Sequence, residues 1–393
     1  MNSTTNSGSS PEAKKPDTKV TKRKQPKIHS YPFWSPRFWH GMRAGDWWKL
    51  CIKHGFRIHP IRWPMAVLLG MITPVNSILR LWQRAQYGSR IDRTRIEEPP
   101  VFIIGHWRSG TTFLHEVMHQ DERFYSPTTY QCFAPHHFLL TEWLIAGYGG
   151  WLMPRQRPMD NMATGWERPQ EDEFALLTLG APTPYLRCAF PNDPPPAVEF
   201  LDMEGVDPAD EKKFSEAMIE FSKLITFRSQ KQLLLKSPPH TGRIELLSKL
   251  FPGARFIHIV RNPYSLFSST VRLWQSLDAV QSLQMPKHKG LEEFVLMCLT
   301  RMYQGYEKQR AKIDPAMIVE VKYEDLVKSP MTELERIYGA LKLPSIEGAK
   351  PKIEKFLTEQ KDYQTNKHEL DEESRKLVRE HWGFYFDKYG YEK

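Results

Sequence analysis

Residues 101–112, VFIIGHWRSGTT, constrain the fold of this chain more than any other stretch. Four apolar residues end at Gly105, and a short loop closes on Gly110, Thr111 and Thr112. Phe113, Leu114, Val117 and Met118 then recur on one helical face. The pattern predicts a buried strand, a glycine loop and a helix N-terminus. Such an arrangement is an anion cradle. N–H groups of a first helical turn lack intrahelical partners, and the helix dipole favours negative charge there. Arg108 lies inside the loop, so the cradle carries its own cation.

The spacing of Gly105 and Gly110 matches nucleotide-phosphate loops of the Gly-x4-Gly-Lys type, but Thr111 holds the lysine position. A nucleotide kinase or NTPase of that kind also needs an acid at a strand end. The apolar run 257–260 leads into Arg261 instead. Both departures weigh against that runner-up reading.

Downstream, apolar runs alternate with helical patterns. Strands are expected at 232–235, 255–260 and 317–321, and helices at 241–251, 263–275 and 331–341. Longer helices are expected at 210–227 and 291–312. Alternation of this kind predicts an α/β fold in three layers, α/β/α, with a central parallel sheet. Ligands of such sheets bind at the carboxyl ends of strands. Gly105, Lys236 and Arg261 all stand at strand ends, so three distant stretches converge on one edge.

Four segments carry a family likeness. Arg108-Ser109-Gly110-Thr111-Thr112 after a strand resembles the 5′-phosphosulfate loop of sulfotransferases that use 3′-phosphoadenosine 5′-phosphosulfate (PAPS). RFIHIVRNPYSLFSS (255–269), LKSPPH (235–240) and VKYEDL (321–326) resemble three further elements of that family, in family order. The C-terminal stretch, with YQTNKH at 363–368, resembles the closing segment of the broad bacterial-type group. The resemblance implies a P-loop NTPase-like sulfotransferase fold over residues 99–393. It implies that Arg108, Ser109, Gly110, Thr111 and Thr112 hold the 5′-phosphosulfate, while Arg261 and Ser269 clamp the 3′-phosphate. It places Lys236 beside the transferring group, Tyr323 against the adenine and Lys367 within reach of the 3′-phosphate. Sulfuryl transfer builds negative charge on the bridging oxygen, so it calls for positioned cations, N–H donors and a base, and for no metal. His240, four residues after Lys236, stands first as the base, with Glu171 and Glu173 as competitors. His106, His115, His136 and His137 are near enough in sequence to be weighed.

The 393 residues carry a net charge of +9. Residues 1–30 hold seven Lys/Arg and two acids, so 7 − 2 = +5 comes from the tail and 9 − 5 = +4 from the rest. This tail has few apolar residues and no signal-peptide core, so a solvated, disordered segment is expected. No nucleic-acid recognition motif accompanies the charge, whereas an anionic membrane surface would attract it. Four scattered cysteines read as reduced thiols of a cytoplasmic protein.

Residues 31–98 form an aromatic-rich helical region; six of the 12 tryptophans fall within the first 82 residues. Its apolar stretch at 65–79 is broken by Pro74 and is shorter than the roughly 20 residues of a spanning helix. Two readings stay open: a helical hairpin packed on the catalytic domain, or a region touching the membrane as a peripheral protein. A small-molecule, lipid or carbohydrate hydroxyl fits the aromatic composition as acceptor. A non-catalytic, membrane-associated nucleotide-binding protein is the third class. The oligomeric state is not written in the sequence.

Overall fold

Apolar runs too short for helices become strands buried on both faces, as a parallel sheet between helical layers requires. The computed structural model describes residues 31, 34–153, 164–360 and 370–393. The basic tail and the 363–368 stretch with Lys367 lie outside these. Five strands, β1 (Val101–Ile104), β2 (Phe124–Tyr125), β3 (Gln232–Lys236), β4 (Arg255–Val260) and β5 (Ile318–Lys322), form one sheet in the order β2-β3-β1-β4-β5. All neighbours are parallel. The register pairs Ile103 with Lys236, Ile104 with His258 and Val260 with Lys322, which levels the carboxyl ends along one edge. β1 lies between β3 and β4, so the chain leaves it in opposite directions and opens a crevice above its end.

Alternation within β1 sends Phe102 and Ile104 into one core and Val101 and Ile103 into the other. The first core is shared with helices Pro208–Ser229, Pro263–Gln281, Leu291–Arg310 and Glu372–Tyr389; the second with Thr111–Met118, Pro330–Ala340 and Lys350–Glu359. The helix expected at 241–251 starts at Ile244, because Pro238–Arg243 forms a 3-10 segment first. Pro238 and Pro239 have no N–H to give to an α-helix. The helix expected to end at 275 continues to Gln281.

The largest difference lies in the N-terminal region. Pro74 does not break the apolar stretch: one helix runs from Trp63 to Arg93. Losing one backbone bond at Pro74 is offset by packing on the domain, where Asn76 Nδ2 donates to His40 O and Met42 O at 2.6 and 2.9 Å. By length and composition this helix could cross a bilayer, which corrects the shorter stretch read from sequence. One of its faces joins the main core with Phe38, Trp39 and Trp47. Trp39 Nε1 donates to Gln281 O at 2.6 Å, tying this region to the end of the Pro263–Gln281 helix. All four cysteines are free and buried.

A cleft of about 730 Å³ lined by Arg95, Pro99, Pro100 and Phe251 lies at the amino ends of the strands. It is at the opposite end of the sheet from the glycine loop.

Candidate active site

Local sterics explain the loop. Gly105 has φ 145°, and a Cβ there would stand 2.4 Å from Ile259 O. Its N–H donates to Thr241 Oγ1 at 2.8 Å, anchoring the loop to the segment after β3. Gly110 has φ 104°, and a Cβ would meet the Tyr323 ring at 2.3 Å. Arg108 is held at φ 68°, a left-handed conformation that costs a non-glycine residue on the order of 1 kcal/mol or more. Ser109 is fully buried, and its hydroxyl has no hydrogen-bond partner among the described residues. Thr111 and Thr112 open the helix that follows.

The cations meet above this loop. Arg108 Nε donates to Ser269 Oγ at 2.8 Å, and Arg261 Nη1 donates to Arg108 O at 2.8 Å. Arg261 also lies 4.2 Å over the Tyr323 ring, a cation–π contact. Arg108 therefore links Ser269, through its side chain, to Arg261, through its carbonyl, and Tyr323 lies against both Arg261 and the Gly110 backbone. A helix cap beside it and the Tyr385 hydroxyl fix the Arg261 backbone. Asn262 Oδ1 caps the next helix by accepting from Tyr264 N and Ser265 N. The Tyr385 hydroxyl accepts from Arg261 N and donates to Arg261 O, at 3.0 and 3.1 Å.

A second group forms a ring of contacts that starts and ends in the glycine loop. Trp107 Nε1 donates to Tyr185 Oη at 2.7 Å, and Tyr185 donates to Glu171 Oε2 at 2.6 Å. Lys236 Nζ donates to Glu171 Oε1 at 2.7 Å and lies 3.4 Å from Thr112 Oγ1. Glu171 precedes helix Asp172–Thr178 as its N-cap residue, where a carboxylate also complements the dipole. Lys236 ends β3 beside it. The Glu171–Lys236 pair thus sits against the first turn of the loop helix.

The other acids and histidines face away from this ring. His240 is fully buried, with Nε2 bonded to Asp172 Oδ2 at 2.6 Å. Glu173 is equally buried and gives both oxygens to Arg243, at 2.8 and 3.0 Å. It also accepts from Thr183 Oγ1. His106, His115, His136 and His137 are buried. Burial pushes the imidazoles of His106 and His137 down to about 3 and about 4. It also holds His115 and His136 well below the ordinary value.

Asp172 supports the site from below. Burial alone would raise its carboxyl, but the charge and hydrogen bond of His240 and the Ser237 hydroxyl outweigh it and hold it under 3.8. A lowered folded-state value gives stability that is present above pH 3.8 and is lost as pH falls through that lower value. Asp172→Asn is therefore expected to lower the melting temperature at pH 7, by an amount that shrinks as pH is taken progressively below 3.8. A constant difference across that range would contradict this role.

Asp172, Tyr185, Trp107 and Tyr385 were not singled out in the sequence. Asp172 had a signal, lying between two candidate glutamates. Tyr385 and Tyr185 had none, since each reaches the site only through the folded chain.

Comparison with known proteins gives the family and the fold. The profile of the sulfotransferase family matches residues 99–347. The omega-hydroxy-beta-dihydromenaquinone-9 sulfotransferases Stf3 of Mycobacterium bovis and Mycobacterium tuberculosis are each 41% identical over 371 residues, 94% of this chain and 95% of theirs. The crystal structure of sulfotransferase STF9 from Mycobacterium avium shares the fold, with a TM-score of 0.64 at 17% identity over 90% of this chain and 97% of its own. STF1 from Mycobacterium tuberculosis does so at 0.57 and 16%, over 88% and 94%. With a matching family profile over most of the chain and relatives aligned nearly end to end, the chain belongs to the sulfotransferase family and is an enzyme of sulfuryl transfer.

Proposed function

We propose that this enzyme moves the sulfuryl group of PAPS onto the hydroxyl of a long, apolar, lipid-like acceptor. The observation that carries this is the joining of two charged groups at one sheet edge, Arg108–Arg261–Ser269 and Lys236–Glu171. The buried, unpartnered Ser109 hydroxyl and the glycine-lined loop support the fit of a phosphosulfate. Arg108, Ser109, Gly110, Thr111 and Thr112 would hold its 5′ end; Arg261 and Ser269 would hold the 3′-phosphate, with Tyr323 walling the loop. Lys367 belongs to this reading only by family likeness.

The donor supplies an activated SO₃ group on a phosphate leaving group. Around it the chain's residues have separable roles. Lys236 places a cation beside the first turn of the loop helix, where charge grows on the bridging oxygen. Glu171 takes the proton of the acceptor hydroxyl as the oxygen–sulfur bond forms and the sulfur–phosphate oxygen bond breaks. Its side chain is about 9% exposed, whereas those of His240 and Glu173 are fully buried. Tyr185 and Lys236 hold the carboxyl in place from two sides. His240 and Asp172 position the β3 turn, and Glu173 with Arg243 braces the helix behind it.

The apolar acceptor is supported by the Stf3 relatives, whose names specify a hydroxylated dihydromenaquinone, and by the aromatic cluster behind Glu171. There Phe38 stacks on Phe174 at 4.2 Å, and Phe174 meets Tyr185 at 4.9 Å. Such a lipid belongs to a membrane face, and the buried free thiols suit a cytoplasmic one. The test is transfer from ³⁵S-labelled PAPS to a panel of polyprenyl-type alcohols, sterols and sugars. Label on the polyprenyl-type alcohols is expected; label on sugars alone would overturn the acceptor class.

A further inference from the structure

We infer that the outward face of the Trp63–Arg93 helix is a membrane-docking surface that seats the enzyme on an anionic lipid leaflet without crossing it. The helix has an exposed face and a buried one. Trp63, Val67, Met71, Val75, Ile78 and Trp82 follow one another at intervals of three or four residues and are 44% to 65% exposed. At about 100° per residue they occupy an arc of about 120°. The buried face mixes the apolar Met65, Ala66, Leu69 and Ile91 with the polar Thr73, Asn76 and Gln83. A surface helix of a water-soluble domain turns its apolar stripe inward and its polar residues outward. Here a second apolar stripe points outward beside the buried one, and three polar side chains lie on the buried face.

The polar side chains on the buried face also decide against a spanning helix. Asn76 Nδ2 binds two backbone carbonyls, and Asn76 Oδ1 lies 3.1 Å from His137 Nε2. Gln83 Oε1 accepts from Leu139 N at 3.0 Å. Crossing the bilayer would strip these groups from their partners and leave them unsatisfied in hydrocarbon. Lying in the interface keeps them. The preceding helix, Ala44–Lys53, packs on this one and adds Trp48 and Ile52 as exposed apolar side chains. Tryptophans near both ends of the stripe, Trp63 and Trp82, suit the headgroup level.

Charge names the partner. Residues 47–91 contain no Asp or Glu but seven Lys/Arg: Lys49, Lys53, Arg57, Arg62, Arg80, Arg84 and Arg90. Several pair with acids of the domain, such as Arg57 with Asp193 and Arg80 with Glu220. Lys49 and Lys53 lie exposed on the adjoining helix. An anionic leaflet attracts basic residues held near its surface. A second copy of the same face would bring like charges together, which disfavours self-association. The surface stands whether or not the acceptor is a lipid, but it would hold the active site where a lipid alcohol is found.

The test is sedimentation of the full chain with vesicles of phosphatidylcholine, alone or mixed equally with phosphatidylglycerol. The wild type is expected to pellet with the mixed vesicles, less with phosphatidylcholine alone, and less again as salt rises. Val67→Glu/Val75→Glu is expected to reduce that binding at least tenfold, while adenosine 3′,5′-bisphosphate still raises its melting temperature as in the wild type. That control separates failure of the surface from failure of the active-site reading. Unchanged binding by the variant, or none by the wild type, would overturn the docking surface. So would a wild-type dimer that the variant dissolves, which would assign the face to a second copy. Retention of the cellular protein in membranes through an alkaline carbonate wash would overturn it in favour of a spanning helix.

Discussion

Glu171→Gln is expected to reduce sulfuryl transfer between about 100- and 10,000-fold, the usual contribution of a positioned general base. The amide keeps the shape of the side chain; its oxygen can still accept from Lys236 and its NH2 can donate to the Tyr185 hydroxyl, so the fold should survive. What it loses is the capacity to take a proton. The rate should therefore fall mainly in kcat. Glu173→Gln distinguishes this from simple damage. Glu173 is paired with Arg243 inside the protein, and breaking a buried pair by removing one partner costs about 3–5 kcal/mol. Its loss should appear as lowered stability, with the pH profile of the remaining activity unaltered. If Glu171→Gln kept full turnover, the proton would have to go elsewhere.

Arg108→Ala is expected to lower kcat/KM about 100- to 1,000-fold, the scale measured when one preorganised donor to a developing oxyanion is removed. Arg108 has two jobs. Its guanidinium joins Ser269, and its backbone carbonyl accepts from Arg261. The alanine keeps the second contact and removes the first. Turnover should collapse while the melting temperature of the free protein changes little. Ser269→Ala should have a smaller effect, since a neutral hydroxyl gives a weaker bond to phosphate than a guanidinium does. Unchanged turnover in Arg108→Ala would remove the loop arginine from the reaction.

The parts of this site legible in the sequence are those whose signal is local. Gly105 and Gly110 announce their loop because only glycine tolerates the backbone and the close neighbours found there. Asn262 and Pro263 announce a helix start, and Arg261 is placed by that start together with the end of β4. Lys236 is read the same way, from the end of an apolar run. What escaped was pairing at a distance. Nothing near Glu171 in the chain says that Lys236, 65 residues on, will bind it, or that His240 will turn instead to Asp172. Tyr385 reaches Arg261 across 124 residues. Pro74 misled for a related reason: its cost to a helix is local, but the contacts of Asn76 that offset it come from the folded domain.

The most direct measurement is a thermal-shift titration of the wild type with adenosine 3′,5′-bisphosphate, run beside ATP with and without magnesium. A ligand that binds only the native state stabilises it by about 2.7 kcal/mol at one hundred times its dissociation constant. A dose-dependent rise in Tm with the bisphosphate, independent of magnesium and lost in Arg261→Ala, is the predicted result. Stabilisation by ATP–magnesium alone, with no response to the bisphosphate, would contradict PAPS as the donor held at this sheet edge.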